Sequence, residues 1–225
     1  MKFKKISDIR FYKYKFIEGQ FFPVQVPYNN KELNIIIHRV VMKLRENDFS
    51  LGEHDHLYIC FCDGNEGVVG MLGFDNSYTP WATYYPIRVT DELYNNLDNC
   101  EYVSQSLEWA KKILIDNFTS DEDEINLVNF CFDEAINKAE DMKMKYKEKI
   151  NKDRKAVIYL RYLNNSKYYP LLRVYNNEGK ILFEKDLSEA LTLDQFGQLQ
   201  VTNNKVTIIP RKNSYNNLEK IIYEY

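Results

Sequence analysis

The sequence predicts an α+β protein with a strand-rich N-terminal part, a central pair of amphipathic helices and a C-terminal antiparallel meander. Alternating polar and apolar runs dominate the early positions, and two segments with apolar residues every three or four positions follow. Short strand-like runs separated by Asn-Asn pairs fill the remainder. We expect an N-terminal α+β part over 1–118, a long helix over 119–152 and a small antiparallel sheet over 153–225, forming one continuous domain or two.

The N-terminal part opens with a predicted strand, IRFYKYKF over 9–16, in which polar and apolar residues alternate. In the following segment, 31–46, the apolar residues fall on one helical face, and Asn29 or Asn30 is a candidate N-cap. A helix is favoured there, although the β-branched content also fits a strand.

A β-hairpin is predicted over 56–74, where HLYICFC and VVGMLGF flank the turn DGNEG. The Asn, Ser and Pro content of 75–86 predicts a loop, and PIRVT at its end predicts a short strand. Thr90 then fits the N-cap of a short helix with the sequence DELYNNL.

Two amphipathic helices are predicted in the middle of the chain. The first follows the apolar spacing of 103–118. The second begins at TSDEDE, in which Thr119 and Glu122 fit a capping box, and its apolar spacing extends to about Lys152. Acidic residues at its start and lysines at its end would complement the helix dipole.

The C-terminal part is predicted to be an antiparallel meander over 156–210, with the strands AVIYLRYL, YYPLLRVY, KILFEKDL, QLQV and KVTIIP. Asn-Asn pairs at 164–165, 176–177 and 203–204 separate these runs, and Asn tolerates the positive φ of tight turns. Strands joined by such short turns must pair antiparallel. The last ten residues, NNLEKIIYEY, fit a terminal amphipathic helix.

Composition narrows the function classes. The net charge of −3 disfavours a surface devoted to nucleic acid, although the basic and aromatic stretch RFYKYKF keeps single-stranded nucleic-acid binding as a weaker alternative. The sequence contains neither a signal peptide nor a transmembrane stretch, so we expect no membrane partner. The four cysteines are expected to be reduced thiols in a cytoplasmic protein. The abundance of Asn, Lys, Ile and Tyr is typical of an A+T-rich genome, and a small acidic chain without catalytic motifs is expected to be a bacterial or phage protein.

The segment GEHDHLYICFCDG, residues 52–64, contains two of the three histidines and two of the four cysteines. On one strand, at about 3.3 Å per residue, His54 and Cys62 would lie about 26 Å apart, too far for one zinc ion. His54 and His56 alone have the spacing of a chelating pair, and they need a third ligand from elsewhere. We expect no metal and no cofactor, and we keep a metal-dependent enzyme built on His54 and His56 as the alternative.

Other catalytic templates also fail. The chain has no G-x-S-x-G elbow and no P-loop, and the glycines of GVVGMLG do not have dinucleotide-binding spacing. We therefore expect no catalytic residues, and a non-enzymatic protein is the favoured interpretation.

Two features instead suggest contact with a protein partner. The predicted loop contains Tyr78, Trp81, Tyr84 and Tyr85, and the second helix begins with Asp121, Glu122, Asp123 and Glu124. Aromatic residues are typical interface hot spots, and acidic residues attract basic partners. These residues predict a cytoplasmic protein-binding factor of the immunity or inhibitor type that neutralises a basic protein. In the alternative interpretation the aromatic residues fold inward and the acids are a solvated helix start; the tyrosine content is also compatible with a homodimer.

Overall fold

The structure is a computed structural model that describes residues 3–15, 24–63, 80–213 and 217–225. The chain divides into two compact units, Met1–Lys138 and Ala139–Tyr225. Helices and a mostly parallel sheet build the first unit and antiparallel strands build the second, so the predicted α+β class is confirmed.

In the described part of the N-terminal unit, two pairs of strands are separated by one helix, and three further α-helices follow. The elements are β1 (Asp8–Lys15), β2 (Val24–Val26), α1 (Lys31–Glu46), β3 (His56–Asp63), β4 (Ala82–Val89), α2 (Asp91–Asn96), α3 (Val103–Phe118) and α4 (Glu122–Lys138). The strand order is β2-β1-β3-β4, with β1, β3 and β4 parallel and β2 antiparallel to β1. A parallel neighbour requires a crossover, and α1 makes it between β1 and β3.

One face of this sheet packs against α3. Phe11 of β1 stacks on Phe61 of β3 with ring centroids 5.8 Å apart, and Phe61 lies 5.5 Å from Trp109 of α3. Tyr85 of β4 meets Phe118, at the end of α3, at 5.8 Å. The register places these residues on one face: Phe11 and Tyr85 both lie opposite Ile59, and Phe61 follows Ile59 by two residues.

The favoured helix at 31–46 is confirmed, because its N-cap and its buried face both suit a helix. Asn30 is the cap: its Oδ1 accepts a hydrogen bond from the Leu33 amide at 3.0 Å, and its Nδ2 donates to the Leu97 carbonyl at 3.3 Å. The Thr90 cap is confirmed as well, since Thr90 Oγ1 accepts from the Leu93 amide at 3.3 Å. The helix predicted over 103–118 matches α3.

The predicted loop at 75–86 is wrong over its second half, because β4 begins at Ala82. Pro86 suggested a strand start, yet it lies inside β4, opposite Cys60 in the register. Among the described strands β4 is the last in the sheet, where a residue without an amide hydrogen is tolerated. The second strand of the predicted hairpin falls outside the described residues, and the described neighbours of β3 are both parallel to it.

The long helix predicted over 119–152 is also wrong. The α4 helix ends at Lys138, a 3-10 turn covers Ala139–Asp141, and a strand follows. Ala139 has a φ of +44°, a value that an α-helix cannot accommodate. The lysines expected to complement the end of the helix dipole lie beyond the end of α4.

The C-terminal unit is built from strands: β5 (Met144–Asn151), β6 (Arg154–Tyr162), β7 (Tyr168–Asn176), β8 (Ile181–Asp186), β9 (Gln198–Val201), β10 (Lys205–Ile209) and β11 (Ile221–Glu224). They form one sheet in the order β5-β6-β7-β8 and a second in the order β11-β10-β9. All described pairs in both sheets are antiparallel, so the meander is confirmed.

The terminal helix predicted for NNLEKIIYEY is wrong, because this segment contains β11. Along β11 the half-buried residues Ile221 and Tyr223 alternate with the exposed Ile222 and Glu224, which is the period of a strand. Tyr223 packs against Phe183 of β8 at a ring-centroid distance of 5.7 Å. Pairing with β10 and this contact outweigh the helical pattern of a short segment.

Candidate partner-binding surface

The structure separates those aromatic residues of the predicted loop that it describes. Tyr78 lies outside the described residues. Tyr84 and Tyr85 are neighbours on β4 and therefore point to opposite faces of the sheet. Tyr85 belongs to the core face, where burial raises the pKa of its phenol. Trp81 precedes β4 and is 42% exposed.

Tyr84 belongs to a row of tyrosines across the other face of the sheet, formed with Tyr12 of β1 and Tyr58 of β3. The ring centroids of Tyr58 and Tyr84 are 5.1 Å apart, those of Tyr12 and Tyr58 are 5.3 Å apart, and both pairs meet edge to face. Cys60 and Ala82, packed with this row, are fully buried. Because the row is itself a packed cluster, Tyr84 fits the inward-folding interpretation of the predicted aromatic surface.

The two candidate metal ligands do not share a strand. His54 lies in the turn before β3 and forms an isolated bridge with Leu51, whereas His56 is the first residue of β3. His56 Nδ1 lies 2.7 Å from the Asp55 carboxylate. The predicted strand HLYICFC, 56–62, is confirmed, and the turn before it separates His54 from that strand. Among the residues that the structure describes, no three His, Cys, Asp or Glu side chains group as metal ligands would.

The cysteines of β3 are equally poor candidates for chemistry. Cys60 and Cys62 are fully buried and unbridged. Burial raises the pKa of Cys62 to about 12, and it raises that of Cys60 as well. Both thiols therefore stay protonated at neutral pH, which is the inert state of a cysteine.

The predicted capping box at the start of α4 is displaced by two residues. Thr119 instead completes α3, because its Oγ1 donates a hydrogen bond to the Ile115 carbonyl at 2.7 Å. Asp121 takes the capping role, and its Oδ1 accepts from the Glu124 amide at 2.9 Å. Glu124 in turn accepts from the Ser120 amide at 2.7 Å. Asp121 and Glu124 are thus engaged in the local structure of the helix start.

The other two acids of the run point outward without partners. Glu122 and Asp123 are exposed, and neither makes an ion pair or hydrogen bond with any described residue. The run therefore combines two capping residues with two unpaired charges. Only the unpaired charges are available to a partner.

Asp123 begins a stripe of exposed residues along α4, which we call the α4 outer face. At helical spacings of three and four it comprises Asp123, Asn126, Phe130, Asp133 and Asn137. Phe130, at its centre, is 47% exposed although it is a large apolar residue. Asp133, like Asp123, makes no ion pair or hydrogen bond with a described residue.

The opposite side of α4 is anchored in the unit. Val128, Cys131, Phe132 and Ala135 are buried there. Near the outer face, Lys43 of α1 places its Nζ 5.9 Å from the centre of the Phe130 ring and 2.6 Å from Glu46. The outer face is thus presented by a helix with a fixed rotation.

Sequence reasoning missed Phe130, although the sequence contained a signal for it. The apolar spacing of this helix uses Val128, Phe132 and Ala135, and Phe130 falls outside that stripe. An aromatic residue at a polar position of an amphipathic helix has to be exposed.

Charge divides unevenly between the two units. Met1–Lys138 contains 14 Lys and Arg against 22 Asp and Glu, a net charge of −8. Ala139–Tyr225 contains 16 Lys and Arg against 11 Asp and Glu, a net charge of +5. The modest overall charge therefore conceals a strongly acidic unit, to which α4 belongs, and a basic one.

No protein-family model, curated protein or solved structure matches this chain. Within the described ranges, no helix has both the length and the apolar character needed to cross a membrane.

Proposed function

We propose that this chain is a non-enzymatic protein-binding factor of the immunity or inhibitor type, which neutralises a basic protein by direct binding through the α4 outer face. The observation that carries the proposal is the exposed ring of Phe130 between the carboxylates of Asp123 and Asp133, neither of which pairs with a residue that the structure describes. A large aromatic residue at the centre of a polar surface is the usual composition of a binding hot spot and its rim.

Electrostatics supports a basic partner. The net charge of −8 on the N-terminal unit attracts a cationic protein over distances of about a Debye length, roughly 8 Å at physiological salt. Complementary charge of this kind raises the association rate and rejects acidic competitors. Burial of the Phe130 ring would then supply the short-range part of the affinity.

The state of the cysteines supports a cytoplasmic location, which is part of the proposal. All four are unbridged, with Cys100 exposed and the other three buried. Unbridged thiols are typical of proteins kept in a reducing compartment.

The two alternatives gain no support from the geometry. A metal-dependent enzyme needs a third ligand beside His54 and His56, and the described residues supply no such group. A nucleic-acid surface on RFYKYKF needs its cations outward and free of ion pairs. Arg10 and Lys15 are exposed, but Arg10 is paired with Asp8 at 2.6 Å, and Lys13 is buried and lies 3.3 Å from Asp98. Binding through the α4 outer face is therefore the function we propose.

The test compares Phe130→Ala with the control Ile136→Ala in pull-downs from extracts of the native host. Ile136 is also 47% exposed on α4, but it lies about 120° around the helix from Phe130. We expect a basic protein to be retained by the wild type and by Ile136→Ala. Phe130→Ala should weaken its binding by about 2 kcal/mol, roughly 30-fold.

The charge contribution is tested with Glu122→Gln combined with Asp123→Asn, because Asp121 and Glu124 are needed for the helix cap. This variant should slow association and weaken its salt dependence. Unchanged thermal melting shows that each variant is folded. If Phe130→Ala retained the same proteins as the wild type, this surface would be ruled out as the binding site.

A further inference from the structure

The C-terminal unit contains a cleft of about 510 Å³ between the β5–β6 turn and the β7–β8 turn. Its volume lies in the range of small-molecule sites. Lys152, Arg154 and Lys155 line it on the side of the first turn, and Tyr159 and Tyr175 lie on the strands between the turns. This cleft plays no part in the function proposed above.

The lining is electropositive. Against its three cations it has one acidic residue, Asp153, whose carboxylate lies 2.6 Å from Arg154. Lys155 is paired outside the lining, with Glu148 at 2.9 Å. Lys152 makes no ion pair with any described residue, so its ammonium group is an unused cationic donor beside the cavity. Such a donor favours an anionic group there.

Two tyrosines add hydroxyl donors to these cations. The hydroxyl oxygens of Tyr159 and Tyr175 are 3.1 Å apart. One hydrogen serves that bond, so the accepting phenol keeps its own hydrogen for another acceptor. Burial raises the pKa of Tyr159 to about 12, so its phenol is protonated at neutral pH.

The cleft also offers apolar surface. Ile150 lines it and is 59% exposed, although it is a large aliphatic residue. The rings of Tyr159 and Tyr175 add flat aromatic surface. A ligand that uses all of these groups must combine a negative charge with a hydrophobic body.

We propose that this cleft binds a small organic anion, a phosphate or carboxylate attached to an aromatic ring. Lys152 and Arg154 bind the anionic group with help from the tyrosine hydroxyls, and Ile150 contacts the ring. The site is independent of the α4 outer face, which belongs to the other unit.

The experiment is an NMR titration of the ¹⁵N-labelled full chain with phenyl phosphate, benzoate and inorganic phosphate as probes. We expect saturable shifts of the amides of 151–155 and 176–180, with phenyl phosphate or benzoate bound more tightly than inorganic phosphate. The tighter of these two identifies the anionic group. Shifts spread over the surface, no saturation, or equal affinity for inorganic phosphate would overturn the proposal.

Matched variants tie the shifts to the cleft. Lys152→Gln should weaken binding of the aromatic anion by roughly tenfold or more, the usual effect of one charge-assisted contact. Lys205→Gln is the control, because Lys205 is an exposed cation of the same unit that does not line the cleft. Tyr159→Phe should also weaken binding while the fold is retained. Equal affinity in Lys152→Gln and Lys205→Gln would overturn the proposal.

Discussion

Gly197 lies against the backbone of Pro210 so closely that a Cβ atom at position 197 would come within 2.5 Å of the Pro210 carbonyl oxygen. The neighbouring Arg211 amide donates a hydrogen bond to the Asp194 carbonyl at 2.7 Å. The chain entering β9 and the chain leaving β10 are thus held together by backbone atoms, which cannot rotate away as a side chain can. Glycine is required here by contact and not by its φ angle.

Gly197→Ala should therefore destabilise the C-terminal unit by about 2–3 kcal/mol, the usual cost of overpacking against a rigid neighbour. The measurement is urea unfolding followed by circular dichroism. Gly179→Ala is the comparison, because Gly179 has a φ of +80° but open space around it, and it should cost only about 1 kcal/mol. Equal losses in the two variants would show that the Pro210 contact is not limiting.

Asn30→Ala should destabilise the N-terminal unit by about 2 kcal/mol. The substitution removes the N-cap of α1, and it also removes the hydrogen bond that the Asn30 amide donates to the buried Leu97 carbonyl. Chemical denaturation followed by tryptophan fluorescence measures the loss. Asn34→Ala is the control, since Asn34 is an exposed residue of the same helix, and its replacement should be neutral or slightly stabilising. A similar loss in both variants would contradict the capping role of Asn30.

Stability should fall in mildly acidic solution because of His38. Burial lowers the pKa of its imidazole below the ordinary value of 6.5, Arg39 adds to this effect, and Asp8 opposes it. Between the folded and unfolded pKa values the unfolded chain binds more protons. Stability is therefore fully present above about pH 6.5 and declines as the pH falls toward the folded pKa.

The measurement compares the unfolding free energy of the wild type and His38→Gln over that interval. We expect the wild type to lose more stability than the variant as the pH falls. Parallel pH profiles would exclude His38 as the source. Measurement of unfolding at a fixed pH above 7 separates this titration from any constant packing cost of the substitution.

Elemental analysis of the untagged protein tests the histidine pair directly. We expect no stoichiometric zinc, iron or manganese, and no difference between the wild type and His54→Ala combined with His56→Ala. Metal at one equivalent in the wild type and its loss in the double variant would restore the enzyme hypothesis.

The elements that sequence predicts well here are those with local signals. Asn30 and Thr90 predict the helices that follow them, because the side chain of an N-cap residue bonds to a backbone amide only three residues away. Asn-Asn pairs identify the meander for the same reason. By contrast, Met142 and Tyr146 continue the apolar spacing of α4 by chance. They are four residues apart, and this separation fits one face of a strand as well as one face of a helix.

Long-range pairing is what the sequence hides. The strand at 144–151 exists because β6 pairs with it, and β4 exists because β3 lies beside it in parallel register. Parallel strands are joined by a long crossover and not by a short turn, so no local sequence signal predicts their pairing. For the candidate surface, composition predicted acids and aromatics but not which of them are used internally. Asp121 and Glu124 bond to the start of α4, and the half-buried Tyr85 packs against Phe118.

The division of the chain between residues 138 and 139 places every tryptophan and cysteine in one of the two units. Both tryptophans, Trp81 and Trp109, and all four cysteines lie in the N-terminal unit. Intrinsic tryptophan emission and thiol labelling therefore follow the unfolding of that unit alone. The exposed Cys100 should be labelled at once, and the labelling rate of the three buried thiols measures how often the unit opens. The C-terminal unit contributes no signal to either experiment. Its unfolding is therefore obtained without an added label, as the difference between a signal from the whole chain, such as circular dichroism, and the tryptophan signal.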